Sequence, residues 1–308
     1  MALNKEVWLA DIQEALYPEN AFYTNSIDDS LYVTNKTVHL PISGTIPSVT
    51  VDRSSFPASA TQRTDTELTY TMKELSTDPM FITDGEQTEI SYEKRASILR
   101  DMINNLNDRV SLELAYAWAN DLWAYQVETS GSARSAYLSY QTGTRLALDY
   151  ADILKASYKL NAANVPIEGR KMLISAGMFN DLLNISEFQY SQSLMTGIIT
   201  NGAIGRILGF DVFVRSQVLQ YDNAYTTGGT AAAKAAIGST GATYKDAAIC
   251  WHPQFVRRAM GNMDNSGIKV FTKDQDPLYY GDLMSALIRV GGSTTRTSEV
   301  GIVTIIEK

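Results

Sequence analysis

The feature that most constrains this chain is a long stretch, residues 88–127, that contains neither proline nor glycine. Apolar residues recur through it at spacings of three and four, as at Met102, Leu106, Val110 and Leu114, which is the pattern of one face of an α-helix. At a rise of 1.5 Å per residue, such a helix would be roughly 54 Å long. A helix of this length crosses a whole molecule, so we expect it to act as a strut for the rest of the chain.

A coiled coil is the alternative structure for so long a helical pattern. Three asparagines, Asn104, Asn105 and Asn107, lie in its middle, and strict heptad spacing fails there. The sequence therefore favours one long helix that belongs to a larger globular fold.

The segment before the helix, residues 36–85, has a strand-like character. The runs KTVHLPIS and TELTYTMKEL flank more than 20 residues rich in turn formers, including Pro47 and Pro57. A connection of that length is uncommon inside a compact domain and is usually functional. Because an isolated two-stranded hairpin is marginally stable in water, we expect this excursion to lie on another subunit.

The N-terminal segment, residues 1–35, begins with a short amphipathic pattern that Pro18 ends. Two interpretations remain open for it. The segment forms a short helix on its own domain, or it forms an arm that packs on a neighbouring chain.

The second half of the chain alternates between helical and strand patterns after a polar break at residues 128–147. Two segments, DYADILKASYKLNAANV and AGMFNDLLNI, have helical spacing. The predicted strands are RKMLISA, GFDVFVRSQV, KDAAICWHP, GIKVFTKDQD, DLMSALIRVGGS and VGIVTIIEK.

The charge balance bears on nucleic-acid binding. The formal net charge is −8, and the densest basic runs are the short EKR at 93–95 and VRR at 256–258. A protein that grips nucleic acid through its phosphates needs a basic stripe, so direct DNA wrapping is disfavoured, although enclosure of nucleic acid at a distance is compatible. No apolar run of 18 residues occurs, so we expect no membrane partner.

The segment NGAIGRILGFDVFVR, residues 201–215, contains three closely spaced glycines, Gly202, Gly205 and Gly209. A dinucleotide-binding turn places its glycines after a strand and before a helix, and a Walker-type loop ends in Gly-Lys-Ser/Thr. Here the strand pattern follows the glycines, and Phe210 follows Gly209. The pattern therefore predicts a tight turn into a strand that buries residues 210, 212 and 214, with no phosphate site.

Few residues could carry chemistry. The chain has two histidines, His39 and His252, and one cysteine, Cys250. Cys250 and His252 would face the same side of a strand, which is compatible with a nucleophile pair, but two ligands fall short of a metal site. A buried thiol beside a hydrogen-bonded histidine is the simpler interpretation.

Two carboxylate pairs, Asp28 with Asp29 and Asp274 with Asp276, lie in polar stretches. They are either solvated loop charges or a weak cation site. We predict no catalytic, cofactor-binding or metal-binding residue and no cofactor, so this chain is more typical of an assembling protein than of an enzyme.

Four stretches carry a resemblance to a known family, and they follow one another in the family's order: GRKMLISAGMFNDLLN at 169–184, NGAIGRILGFDVFVRS at 201–216, AAICWHPQFVRRA at 247–259 and VGIVTIIEK at 300–308. With the arm, excursion and long helix before them, they resemble the major capsid proteins of tailed phages, which have the Hong Kong 97-type fold.

The resemblance implies an α+β protein with an N-terminal arm, an extended β-hairpin loop, a long spine helix in a peripheral domain and an α/β axial domain. The implied boundaries are 1–35 for the arm, 36–85 for the extended loop, 86–147 for the peripheral domain, 148–258 for the axial domain and 259–308 for the return to the peripheral domain.

The resemblance also implies partners and a location. Many copies, as pentamers and hexamers, would close into an icosahedral virion shell around double-stranded DNA, without sequence-specific binding, after assembly in the host cytoplasm. The extended loop starts near residue 36, which leaves no room for a removable scaffolding segment, so a separate scaffolding protein is expected, together with a portal and decoration proteins. No residue matches the family's Lys–Asn crosslink. The alternatives are an encapsulin-like nanocompartment shell and an α/β enzyme.

Overall fold

The computed structural model describes residues 21–44, 48–58, 60, 62–83, 94–185, 205–222, 230–261 and 267–308. None of the helices in these ranges is long and apolar enough to cross a membrane. The helices are α1 Lys94–Trp118, α2 Tyr150–Ala162 and α3 Ala176–Leu183. The strands are β1 Ile27–Asp28, β2 Val33–Thr34, β3 Thr37–Ile42, β4 Thr66–Thr71, β5 Lys73–Ser76, β6 Met80–Thr83, β7 Gln126–Glu128, β8 Ala133–Ser135, β9 Thr144–Leu146, β10 Arg170–Ser175, β11 Gly205–Ile207, β12 Phe210–Arg215, β13 Leu219–Tyr221, β14 Lys245–Trp251, β15 Val256–Met260, β16 Lys269–Asp276, β17 Gly281–Thr294 and β18 Ile302–Ile306.

The predicted long helix is confirmed over 94–118, which gives a length of about 37 Å. Its expected beginning at 88–93 lies outside the described residues, and the expectation that it continues to 127 is wrong. The reason is Asn120, whose side-chain amide donates to the Ile302 carbonyl at 2.6 Å while its backbone N–H donates to the Thr304 hydroxyl. These bonds to β18 take the chain out of the helical path, and β7 follows.

The first sheet is built around the 14-residue strand β17. The strands β15 and β16 pair antiparallel with successive parts of one edge of β17, and β5 and β6 do so on the other edge. The short strand β1 runs parallel to β15. One face of β17, including Met284, Ala286 and Ile288, is buried, as the alternation of its sequence requires.

The second sheet has the strand order β11-β12-β10-β14-β18-β7, with β13 also paired to β14. Its central strand β10 sends Met172 and Ile174 into a core shared with α2 and α3, and Leu173 into a core shared with α1. Both faces are therefore covered, which explains why these strands are nearly continuous apolar runs. The C-terminal segment divides between the sheets, because β17 belongs to the first and β18 to the second.

The excursion is an antiparallel hairpin. Its strands β3 and β4 pair from Thr37 opposite Thr71 to Ile42 opposite Thr66, which confirms the two strand-like runs. The polar segment 128–147, expected as a break, contains a second small hairpin of β8 and β9.

The described part of the N-terminal segment packs on its own chain. Phe22 is buried edge-to-face against the rings of Trp118 and Trp251, and the Trp251 indole donates to the Asn25 carbonyl at 3.0 Å. The amphipathic pattern that raised the question of an arm lies in residues 1–20, outside the described ranges.

The glycine-rich motif is a β-hairpin in its described part. Strands β11 and β12 pair antiparallel through a two-residue turn, with φ of 48° at Leu208 and 85° at Gly209. Positive φ at both turn residues matches the right-handed twist of a hairpin. No helix follows the glycines, so this turn lacks the helix N-terminus of a dinucleotide-binding loop.

We predict that Gly209→Ala destabilises the protein by about 1–2 kcal/mol, because alanine at φ of 85° is strained and its Cβ would lie 3.2 Å from Ile167 Cγ2. Gly143→Ala is the matched control, since it has a similar φ of 89° but its Cβ would meet only the Arg145 guanidinium at 3.6 Å. Urea unfolding should show a larger loss for Gly209→Ala. Equal losses would show that the contact with Ile167 is unimportant.

Candidate assembly surfaces

The residues with catalytic potential are held in unreactive surroundings. Burial raises the pKa of the Cys250 thiol to about 12, so it is not a thiolate at neutral pH. His252 lies 3.2 Å through Nε2 from the Glu168 carbonyl, and its Nδ1 accepts from the Gln254 N–H. Burial lowers the pKa of His252. The imidazole is thus committed to neighbouring backbone, in agreement with the simpler interpretation.

The members of the two carboxylate pairs form ion pairs within the chain and differ in exposure, since Asp29 and Asp276 are buried whereas Asp28 and Asp274 are half exposed or more. Asp29 is buried and pairs with Arg257 at 2.7 Å, and Asp28 pairs with Arg258 at 3.0 Å. The second pair is also bound within the chain, Asp274 to Arg95 and Asp276 to Lys273. Across the described ranges, no group of three or more histidine, cysteine, aspartate or glutamate residues could hold a metal ion.

The tip of the β3–β4 hairpin is the first surface with an unusual exposure of apolar side chains. Val49 is 92% exposed, Val51 82% and Phe56 76%. All three lie within the described residues 48–58, which contain no strand. Contiguous exposed apolar side chains mark surfaces that bind another molecule.

The second such surface is the outer face of the first sheet, at the end where β6, β16 and β17 meet. Phe81 is opposite Leu283 on β17, and Phe271 is opposite Ser285, so they share the face that points away from α1. Phe81 is 52% and Phe271 53% exposed, and the Phe81 ring lies 6.0 Å from that of Tyr279. The turn after β16 adds two further exposed residues, Leu278 and Tyr280.

A buried ionic cluster links the β8–β9 hairpin to neighbouring elements. Arg134 on β8 binds the Asp181 carboxylate through two nitrogens, at 2.8–2.9 Å, and also contacts Glu307. Arg145 on β9 lies 3.5 Å from the other Glu307 oxygen. The β8–β9 hairpin is thereby fastened to α3 and to the C-terminal end of β18.

Sequence reasoning missed the Arg134 cluster and the Asp29–Arg257 pair. The partners in these pairs are separated by 47 to 228 positions along the chain, and no local spacing reports such contacts. The only available signal was the charged residue within an otherwise apolar run, as at Glu307 after VTII.

Solved structures with a similar fold come from phages. The capsid structure of the cyanophage P-SCSP1u has a TM-score of 0.66 and 15% identity, and the match covers 98% of this chain and 92% of that one. The capsid of Ralstonia phage GP4 has a TM-score of 0.65 and 11% identity, covering 98% and 94%. A structure from Mycobacterium phage Che8 has a TM-score of 0.61 and 18% identity, covering 99% and 98%. No family model and no curated protein matches the chain.

These matches extend over nearly the whole length of this chain and of each matched chain. The chain therefore has the fold of phage capsid proteins, and the α+β, Hong Kong 97-like fold expected from the sequence is confirmed. The sequence identities are only 10–18%, so it is the fold that these structural matches establish.

Glu307 provides a test of the buried ionic cluster through pH. Burial raises the pKa of its carboxyl, against the opposing effect of Arg134. An acid with a raised folded-state pKa contributes most to stability below its unfolded pKa of about 4.3, and this contribution is lost as the pH rises through the folded value. We expect the Tm of the wild type minus that of Glu307→Gln to fall as the pH rises above about 4.

Differential scanning fluorimetry from pH 4 upward would measure the effect, with Glu168→Gln as the control for the same substitution at an exposed position. A Tm difference that grows with pH would mean that pairing with arginine, rather than burial, dominates at Glu307.

Proposed function

We propose that this protein is the major capsid subunit of a tailed phage and that copies of it form an icosahedral shell around double-stranded DNA. The observation that carries the proposal is the match to phage capsid structures along 98–99% of the chain. The two exposed apolar surfaces add support, because a subunit that acted alone would leave them in water.

The hairpin of β3 and β4 is proposed as the extended loop that lies on a neighbouring subunit, and α1 as the spine helix of the peripheral domain. The boundaries 1–35, 36–85, 86–147, 148–258 and 259–308 are kept as the proposed division. Because β18 pairs with β14, the proposed division has the last residues of the return segment extend the sheet assigned to the axial domain.

Enclosure of DNA would not depend on direct binding by a basic stripe, given the net charge of −8. A scaffolding protein, a portal and decoration proteins are the proposed partners, with assembly in the host cytoplasm. No enzymatic activity is proposed, since the Cys250 thiol is buried and the buried His252 imidazole is bound to neighbouring backbone groups.

Electron microscopy of the purified protein, alone and with its scaffolding protein, tests this function. We expect closed shells of uniform diameter. A monodisperse monomer under all conditions would contradict the proposal. Native particles that protect DNA from nuclease would support a phage capsid, whereas particles that co-purify with an enzyme would indicate a nanocompartment.

Deletion of residues 46–64 tests the role of the hairpin tip. The two sides of the loop meet at its base, where the Gly44 N–H donates to Asp65 Oδ1 at 2.9 Å. Because these flanking residues are already close together, the chain can be rejoined there without distorting β3 and β4. We expect a folded subunit with an unchanged circular dichroism spectrum and no closed shells.

A variant that keeps the loop length separates the apolar contacts from the geometry. Val49→Ser, Val51→Ser and Phe56→Ser together should also suppress shell formation, because these side chains are exposed in the subunit and would be buried only between subunits. Shells formed by both variants would contradict the proposed role of the tip.

A further inference from the structure

The base of the β3–β4 hairpin packs on a part of the first sheet where the side chains are small. We call this part, formed by Ala259 and Gly291, the platform. The apolar cluster at the hairpin base consists of hairpin and N-terminal residues, with a single contribution from the first sheet, Ala259. Ala259 pairs with Gly291 on β17. A Cβ at Gly291 would lie 3.2–3.3 Å from atoms of Met72, Thr71 and Tyr70, so glycine is what allows the hairpin to approach this closely. Ala259 and Gly291 contact the hairpin, but they have no long side chain that would interlock with it and fix its angle to the sheet.

A directional contact lies immediately beside this platform. The carboxylate of Asp29, which is 1% exposed, accepts a hydrogen bond from the Tyr70 hydroxyl of β4 at 3.0 Å and one from Arg257 of β15 at 2.7 Å. One buried carboxylate thus joins the hairpin to the first sheet. Burial and the neighbouring Asp29 raise the pKa of Tyr70, so its hydroxyl remains protonated and available as the donor.

The segment that carries Asp29 is itself anchored. The Asp29 N–H donates to the Arg258 carbonyl at 2.8 Å. The Arg258 guanidinium donates to three carbonyls, those of Tyr23, Thr24 and Ser26, and the Ser30 hydroxyl accepts from the Met260 N–H at 3.0 Å. Because β15 forms several hydrogen bonds with residues 23–30, the position of Asp29 is fixed relative to the first sheet.

We propose that Tyr70 and Asp29 are positioning residues that set the direction in which the hairpin leaves the subunit. Hydrogen bonds to a charged group depend strongly on geometry, whereas apolar contact with a flat platform does not. The inference rests on the proposed function in one respect, that the hairpin direction matters because the tip must reach a neighbour.

Small angles at the base produce large displacements at the tip. The six-residue strands of the hairpin are about 20 Å long. The distance from Tyr70 to the far end at Thr66 is about 14 Å, so a tilt of about 10° at Tyr70 moves that end by about 2.4 Å, which is half of the roughly 4.8 Å spacing between neighbouring strands. An error of this size would bring the tip to the wrong place on a neighbour.

Tyr70→Phe is the main test, because it removes the hydroxyl and keeps the ring in its apolar cluster. Tyr221→Phe is the matched control, since the Tyr221 hydroxyl is also buried and donates to the Asn120 carbonyl at 2.7 Å, far from the hairpin. Each variant loses one buried hydrogen bond, so each should lower the Tm of the subunit by a few degrees.

The direction of the hairpin is measured in the unassembled subunit by the distance between two spin labels. Labels on Thr66→Cys, at the far end of β4, and Ala162→Cys, at the end of α2, are both at exposed positions, and the buried Cys250 stays unlabelled. We expect the distance distribution to broaden about twofold in Tyr70→Phe and in Asp29→Asn, and to keep its wild-type width in Tyr221→Phe. Equal widths in Tyr70→Phe and Tyr221→Phe would overturn the proposal.

Assembly is the second readout. Tyr70→Phe should reduce the yield of closed shells about tenfold relative to Tyr221→Phe, a larger difference than the few degrees by which either variant lowers Tm would produce. Yields that follow Tm alone would reduce Tyr70 to a structural role. If the wild type forms no shells, the proposed function fails, while the spin-label comparison still decides whether Asp29 and Tyr70 direct the hairpin.

Discussion

The packing of α1 between two sheets is the contact on which the rest of the structure depends. A single apolar cluster contains Leu114 and Trp118 from the helix, Ile288 from the first sheet and Trp251 from the second. Burial of apolar surface is the main favourable contribution to folding, and here it joins elements that the chain order separates widely. The ion pair between Arg215 on β12 and Asp108 on α1 adds a polar link between the same helix and the second sheet.

This central packing leaves the hairpin and the outer face of the first sheet free for other contacts. The contacts of the hairpin with the body include, at its base, a small apolar cluster and the Asp29 carboxylate. Its tip exposes valines and a phenylalanine that a protein acting alone would be expected to bury. A rigid body with projecting apolar surfaces is the arrangement that assembly into a shell requires.

Sequence periodicity predicted the type of most elements correctly, because each helix or strand has to bury one face or both. It placed α1, the β3–β4 hairpin and the buried strands β10, β12, β14 and β18. It failed at the end of α1, where the bonds of Asn120 to β18 override a helical pattern that continues to Gln126. The sequence also did not show that Asp28 and Asp29 form ion pairs, because a polar stretch does not indicate which distant arginines will contact it.

The sequence by itself determined the local rules: where glycine permits the turn at Leu208 and Gly209, which strands are buried on both faces, and that no basic stripe or reactive constellation is present along the chain. The fold itself was predicted from the resemblance to tailed-phage capsid proteins, which rested on the order of the motifs. Only the tertiary structure decided which strands share a sheet, that β18 returns to the second sheet, and that Asp29 connects Tyr70 to Arg257. Those contacts join residues 41 to 228 positions apart, and their energies depend on burial and geometry that exist only after the chain has folded.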